Sequence, residues 1–495
     1  MTAMTSTGTI PANAFSMKSP FGRRAAALSI AAAVGGFLFG FDSSVINGAV
    51  DSIQENFALG EFLKGFVVAI ALLGCALGAV IAGNLSDRWG RLRVMKLGAI
   101  MFLVSSVGSA LTFSVPDLIL WRVIGGIGIG IASVVAPAYI AEIAPRQIRG
   151  ALASLQQLAI TLGIFAALLS DAVLATSAGG ASEQLWWGLA AWRWMFLIGV
   201  VPAAVYGILS FTVPESPRYL ISKGRTEEAR STMARLVPEV DLDKTMNEIT
   251  NAIETDRKNS GVSLRGKALG LQPIVWTGII LSVFQQFVGI NVIFYYSTTL
   301  WTSVGFPESA SLGFSVFTSV TNVVVTLVAI FLVDRVGRKP ILLTGSVIMA
   351  VSLAAMAVSF MFAEGSGKDV SLPAPWGPVA LVAANLFVVG FGASWGPLVW
   401  VLLGEIFPSR IRGKALGVAA GAQWIANFLI TVSFPQMSTW SLPLTYAMYA
   451  AFAVLSFLYV LWRIPETKGM ELEQTETLFT AAADDRAARK SAHTR

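Results

Sequence analysis

The pentapeptide DRWGR at Asp87–Arg91 lies between two apolar runs and returns 247 residues on as DRVGR at Asp334–Arg338. Two other stretches return with it. EIAPRQIRG at Glu142–Gly150 reappears 263 residues on as EIFPSRIRG at Glu405–Gly413, and PESPR from Pro214 reappears 251 residues on as PETKG from Pro465. Three patterns repeating in the same order at nearly one offset mean that a single unit has been duplicated. Each copy places its motifs after its second, fourth and sixth apolar runs, so the unit is a six-run half.

The composition says what those runs are. Of 495 residues, 55% are hydrophobic and 13% charged, and the mean hydropathy is +0.68, more apolar surface than a water-soluble chain of this size keeps covered. Runs long enough to cross a hydrocarbon core of about 30 Å as helices lie near 26–48, 65–85, 94–114, 118–140, 150–171 and 192–213. Six more lie near 274–297, 311–333, 340–362, 376–404, 413–434 and 443–463. The expectation is an all-α membrane protein of twelve transmembrane helices: a tail over 1–24, a six-helix half over 25–213, a polar linker with short helices over 214–272, a second half over 273–463 and a tail over 464–495.

The sequence pI of 9.4 reflects topology, not a nucleic-acid partner. Of 35 Lys and Arg, only Lys64, Arg122, Arg193 and Lys368 avoid the two tails and the loops after even-numbered runs. By the positive-inside rule those segments, both termini among them, are cytoplasmic. Lys18, Arg23 and Arg24 ahead of an apolar run imitate a signal peptide, but the run is too long and lacks a small-residue cleavage site, so it reads as a retained first span. Cys75 stands alone and His493 lies in the tail, so the chain has neither an internal disulfide nor an intramembrane imidazole.

The duplicated DRxGR, the PESPR and PETKG ends, QQFVGIN at Gln285–Asn291 and GPLVWVLLGEIFP at Gly396–Pro408 together resemble the sugar porter family of the major facilitator superfamily, over about Gly35 to Gly469. The resemblance implies six-plus-six architecture with a site between the halves, where alternate access comes from rocking one half against the other.

The residues inside the spans suit that reading. SVFQQFVGINVIFYYSTTLW, Ser282–Trp301, is apolar yet carries two glutamines, an asparagine and two tyrosines. Sugar hydroxyls each donate and accept, carboxamides do both, and aromatic faces cover the C–H side of a ring. On a straight helix Gln286 and Asn291 point about 140° apart at roughly 100° per residue. A break at Gly289 turns both toward one cavity, the setting in which unwound backbone is tolerated at that depth. Gly396 and Pro397 are expected to break span ten in the same way. The alternative is that such amides join helices to one another; against it stands the clustering of Gln156 and Gln157, Asn322, Gln423 and Asn427. The resemblance implies sugar contacts from Gln157, Gln285, Gln286, Asn291, Asn322, Trp400 and Gln423, with Phe39, Tyr295, Gly396 and Trp424 lining the site.

Among 29 acidic residues, Asp42 in GFLFGFDSSVING is the one read as lying deep within a span. It stands about 17 residues, roughly 25 Å, from the cytoplasmic start of its helix, level with Arg122 about 5 residues in from the outer face. A carboxylate in hydrocarbon costs on the order of 2.5–3.5 kcal/mol on insertion scales and has a partner or a purpose. One reading is a permanent ion pair. The other is coupling: burial favours the neutral acid and a nearby guanidinium the anion, so a changing Asp42–Arg122 distance changes proton affinity with conformation. By resemblance, proton-coupled members carry Asp at this position.

The resemblance also implies a cytoplasmic gate of inter-span salt bridges from Asp87, Arg91, Glu142, Arg149, Glu215, Asp334, Arg338, Glu405 and Arg412. No phosphate-cradling loop or metal-ligand constellation is present, so neither an ATP-driven nor an enzymatic reading is supported and no cofactor is expected. GGIGIGIAS at Gly125–Ser133 reads as small-residue helix packing, because no strand precedes it. The expectation is a secondary carrier of the plasma membrane, both termini cytoplasmic, importing a monosaccharide or cyclic polyol (hexose, pentose or myo-inositol) by proton symport, as a monomer whose partners are sugar, proton and lipid. A passive facilitator is the alternative, with a membrane sugar sensor behind it.

Overall fold

The computed structural model describes residues 19–145, 148–259, 263–266, 269–365, 371–408 and 411–467. Residues 1–18 and 468–495 of the tails, Lys368, and the side chains of Arg149 and Asp334 lie outside the described residues. The first half contains α1 (Pro20–Phe57), α2 (Glu61–Trp89), α3 (Arg91–Ala110), α4 (Val115–Ile143), α5 (Arg149–Ala178), and a sixth span in two pieces, α6 (Ala191–Ile198) and α7 (Val200–Thr212). The linker carries α8 (Pro217–Ser222), α9 (Thr226–Met233) and α10 (Glu239–Asn259), then a two-residue hairpin, β1 (Arg265–Gly266) with β2 (Gly270–Leu271). The second half contains α11 (Pro273–Phe287), α12 (Ile290–Tyr295), α13 (Ser297–Ser303), α14 (Glu308–Val336), α15 (Arg338–Phe360), α16 (Trp376–Gly392), α17 (Trp395–Ile406) and α18 (Arg412–Arg463).

Eleven helical segments among the described residues are long and apolar enough to cross a membrane. The last of them holds two crossings: 52 residues at 1.5 Å rise span about 78 Å, more than twice a hydrocarbon core. Ser441 leaves helical geometry inside it, at φ −162° and ψ 105°, with Pro443 just beyond. Twelve crossings follow, as the apolar runs predict.

Local chemistry starts and ends these helices. Ser19 accepts from the Gly22 amide with Pro20 in the first turn, and Ser114 likewise accepts from Asp117. These are side-chain caps on amides that the helix leaves without partners. Inside the bundle, lipid supplies no hydrophobic drive between helices, and close packing takes its place. The Gly125–Ser133 stripe does this: a Cβ at Gly126 would meet the Ala71 carbonyl oxygen at 2.1 Å, and one at Gly130 the Cys75 carbonyl oxygen at 2.2 Å. The backbones of α2 and α4 therefore touch along that face.

The halves meet along two seams, α2 against α18 and α5 against α14. For the geometry below, the basic face is the side bearing the DRxGR motifs and the linker, and the far face is the other.

Candidate functional site

The seventh span is broken where the sequence indicates. α11 ends at Phe287, Gly289 takes φ +83°, and the chain resumes as α12 and, after Tyr296, α13. A left-handed φ is cheap only for glycine. At this position a Cβ would also lie 2.7 Å from the Tyr449 ring. The break brings Asn291 onto Gln286: its Nδ2 donates to Gln286 Oε1 at 2.6 Å.

Its neighbour Gln285 does something else. Gln285 Nε2 donates to the carbonyls of Trp395 and Gly396, at 2.9 and 3.2 Å. Those carbonyls belong to the broken tenth span, so the Gln285 amide joins helices. The tenth-span break lies earlier than expected. Ser394 carries the non-helical geometry, φ −134° and ψ −85°, while Gly396 and Pro397 fall in the first turn of α17. Proline is tolerated there because an amide in a first turn has no intrahelical acceptor.

The remaining candidates lie on α1, α5, α12, α14, α17 and α18. Phe39 on α1 and Trp424 on α18 meet edge to face at 5.5 Å between centroids. Asn322 is buried, its Oδ1 beside Gly392. Gln157, Asn291 and Gln423 are half-buried, and Trp400, one turn beyond Gly396, is 42% exposed. Two carboxamide oxygens, Gln423 Oε1 and Gln156 Oε1, are shielded and have no partner among the described residues. Buried polar atoms are nearly always paired, so these two acceptors are available to a hydroxyl. Gln156, which the resemblance passes over in favour of Gln157, packs against Gly36 of α1.

Asp42 and Arg122 are 7% and 3% exposed and are joined by hydrogen bonds of 3.1 and 3.2 Å. They share a cavity of about 10 Å³ with Phe39, Ser43, Cys75 and Tyr295, at the lower limit for one water molecule. Two candidate lining residues, Phe39 and Tyr295, thus adjoin the charged pair.

On the far face, hydrogen bonds tie the halves together. Asn47 of α1 donates to Thr298 Oγ1 at 2.9 Å and to Ser315 at 3.4 Å, and its Oδ1 accepts from the Thr298 amide at 3.0 Å. Asp51 accepts from Lys64 Nζ at 2.7 Å and from Thr299 at 2.9 Å. Glu308 accepts from the Ala181 amide at 3.0 Å. Of these groups, sequence reasoning singled out only Lys64, as a cation breaking the charge rule. Asn47, Thr298 and Thr299 carry no such signal, because a bond between halves requires knowledge of which helices adjoin.

On the basic face, the described charge pairs stay within their own halves. Arg91 donates to both Glu142 oxygens, at 3.0 and 2.8 Å, and to Asp87 at 3.1 Å. Arg338 donates to Glu405 at 3.1 and 2.9 Å. Glu215 accepts from the Arg91 and Leu92 amides, and burial pushes its carboxyl above the usual carboxylate range despite these donors. Glu466 likewise accepts from the Arg338 and Lys339 amides. Ser216 donates to Glu142 and Thr467 to Glu405. Glu466, Ser216 and Thr467 were missed as candidates, although the PES and PET repeats contain them. Arg412 Nε donates to the Phe407 carbonyl.

Comparison with known proteins places this architecture. The family described as "Sugar (and other) transporter" matches residues 28–479. The chain is 51% identical over 449 residues to a glucose transport protein of Synechocystis, covering 90% of this chain and 96% of that one. It is 37% identical over 485 residues to the D-xylose-proton symporter of Escherichia coli K12, covering 91% and 95%. Among solved structures, the inward open xylose transporter XylE of E. coli superposes with a TM-score of 0.77 at 35% identity, covering 91% of this chain and 99% of that one. XylE bound to 6-bromo-6-deoxy-D-glucose gives 0.76 at 37% identity, covering 91% and 98%. This chain belongs to the sugar porter family of the major facilitator superfamily, and is a membrane transporter rather than an enzyme.

Proposed function

We propose that this carrier imports a monosaccharide or cyclic polyol together with a proton, with the basic face and both termini cytoplasmic in the plasma membrane and one chain as the working unit. The observation that carries the reading is the Gly289 break, which sets Gln286 against Asn291 at the interface of the halves. Half-buried Gln157 and Gln423, the aromatic pair of Phe39 and Trp424, and the exposed face of Trp400 supply the hydroxyl and ring contacts that a sugar needs. Gln285 serves the site by holding span ten to span seven. Tyr295, Phe39 and the Asp42–Arg122 pair then connect the sugar site to proton binding.

The relatives support the substrate class: a glucose transport protein, a D-xylose-proton symporter and an arabinose-proton symporter of Bacillus subtilis, the last 36% identical over 454 residues. The same geometry fits alternating access. In the arrangement described, the far-face hydrogen bonds close the outside, while Arg91–Glu142 and Arg338–Glu405 each lie within one half. In the outward-facing arrangement these charged loops would meet across the halves and act as the cytoplasmic gate. Surface ion pairs are individually weak, as a releasing gate requires.

The test is uptake into liposomes holding the purified chain, using labelled glucose, xylose, galactose and myo-inositol, with and without a proton uncoupler. Accumulation above equilibrium for one of these, collapsed by the uncoupler, is expected. Equilibration unaffected by the uncoupler favours the passive facilitator, and absence of flux for the whole panel overturns the reading.

A further inference from the structure

Asp171, on α5, is a second carboxyl inside the bundle. The fifth apolar run, near 150–171, puts it at a span end, but α5 continues to Ala178 and leaves Asp171 with 0% exposure. Its Oδ2 accepts from the Gly48 amide of α1 at 3.2 Å, and its Oδ1 has no partner among the described residues. The fit is tight: a Cβ at Gly48 would lie 2.7 Å from the Asp171 Cβ.

The helices packed on α5 are α1, α4, α6 and α14, and their described charged groups are engaged elsewhere or, like Arg23 and Arg24 in the first turn of α1, stand at the basic-face end. Asp42 of α1 pairs with Arg122 of α4, Asp51 with Lys64, and Glu55 with Ser182. On α4, Glu142 pairs with Arg91 and Asp117 accepts from the Phe113 amide. Arg193 of α6 donates to the Ala110 and Thr112 carbonyls, and Glu308 of α14 accepts from Ala181. Arg335 of α14 lies at that helix's basic-face end. Among the described residues, no cation balances Asp171.

An ionised carboxylate without a cation or water is far costlier than the neutral acid. Position adds a second argument. Gly48 directly follows Asn47, the residue that ties α1 to α13 and α14 on the far face. The group anchoring Asp171 therefore adjoins the far-face seal, and α5 itself forms a seam with α14.

We propose that Asp171 is a second proton-binding site of this carrier, protonated while the far-face seal is closed and deprotonated when the seal opens and water reaches its free oxygen. The step is a simple protonation: the carboxylate takes H⁺ from water on closing and returns it on opening. The proton returns to the side it came from, so the step adds no net flux, and it rests on the proposed function only for the alternate opening of the seal.

Infrared titration of the full chain in lipid bilayers tests it, comparing wild type, Asp171→Asn and Asp42→Asn through the C=O stretch of protonated carboxyls. Expected at neutral pH is an acid band that persists in Asp42→Asn and vanishes in Asp171→Asn. Sugar counterflow across a pH series is the second readout. The Asp171→Asn chain is expected to hold its counterflow rate where the wild type changes it several-fold, while still accumulating sugar uphill. If Asp171→Asn fails to insert, Asp171→Ser must lose the same band. A band untouched by either substitution overturns the proposal, as does a counterflow profile that superimposes on the wild type. Loss of uphill transport in wild type would instead strike the symport reading and leave the infrared result to decide Asp171.

Discussion

Arg122 holds Asp42 through a single nitrogen: Nη1 donates to both carboxylate oxygens, at 3.1 and 3.2 Å, while the shielded Nε has no partner among the described residues. The pair is buried but incompletely satisfied, which suits an interaction that forms and breaks. The partners are also unequal, because a carboxyl can shed its charge by taking a proton and a guanidinium cannot shed its own. Arg122→Met is therefore expected to destabilise the chain less than Asp42→Ala, which strands a buried cation at a cost of about 3–5 kcal/mol. Thermal unfolding of the two variants in detergent gives the order, and the reverse order contradicts it.

The far-face seal rests on few groups. Asn47 supplies both of the close bonds to Thr298, each worth about 0.5–1.5 kcal/mol. Asn47→Ala is expected to shift the equilibrium toward opening of the far face by about 1–3 kcal/mol, or about 5- to 150-fold. Labelling of an introduced cysteine beneath the seal, in a Cys75→Ser background, measures the shift. Unchanged labelling means the seal lies elsewhere.

Gly289 is the hinge of the seventh span. Gly289→Ala places a side chain at φ +83° and against Tyr449, with a backbone cost on the order of 1–3 kcal/mol. Sugar affinity is expected to fall, since Gln286 and Asn291 lose their register. Gly417→Ala is the control: a Cβ there meets nothing within 4 Å, and within a helix alanine is preferred by roughly 0.5–1 kcal/mol. Equal loss of sugar-induced thermal stabilisation in both variants would contradict the assignment.

Much of this was readable beforehand, for identifiable reasons. Span number and the two halves were legible because hydropathy and repetition act over tens of residues. The Gly289 break was legible because Gln286 and Asn291 would otherwise diverge. The tenth-span break was misplaced by a few residues because Gly396 and Pro397 look like breakers, whereas a first helical turn accommodates both. Asp171 was passed over because its burial depends on how far α5 extends and on what packs over it. The Asn47 seal stayed hidden for the same reason: Asn47 and Thr298 are 251 residues apart, and no local pattern joins them.

The central claim is that Asp42 carries the proton that moves with the sugar. Liposomes loaded with a pH-sensitive dye measure it directly, with sugar added outside and no membrane potential imposed. The account predicts sugar-driven acidification of the lumen for the wild type and none for Asp42→Asn, which still exchanges labelled sugar across the membrane. Acidification that persists in Asp42→Asn would contradict it.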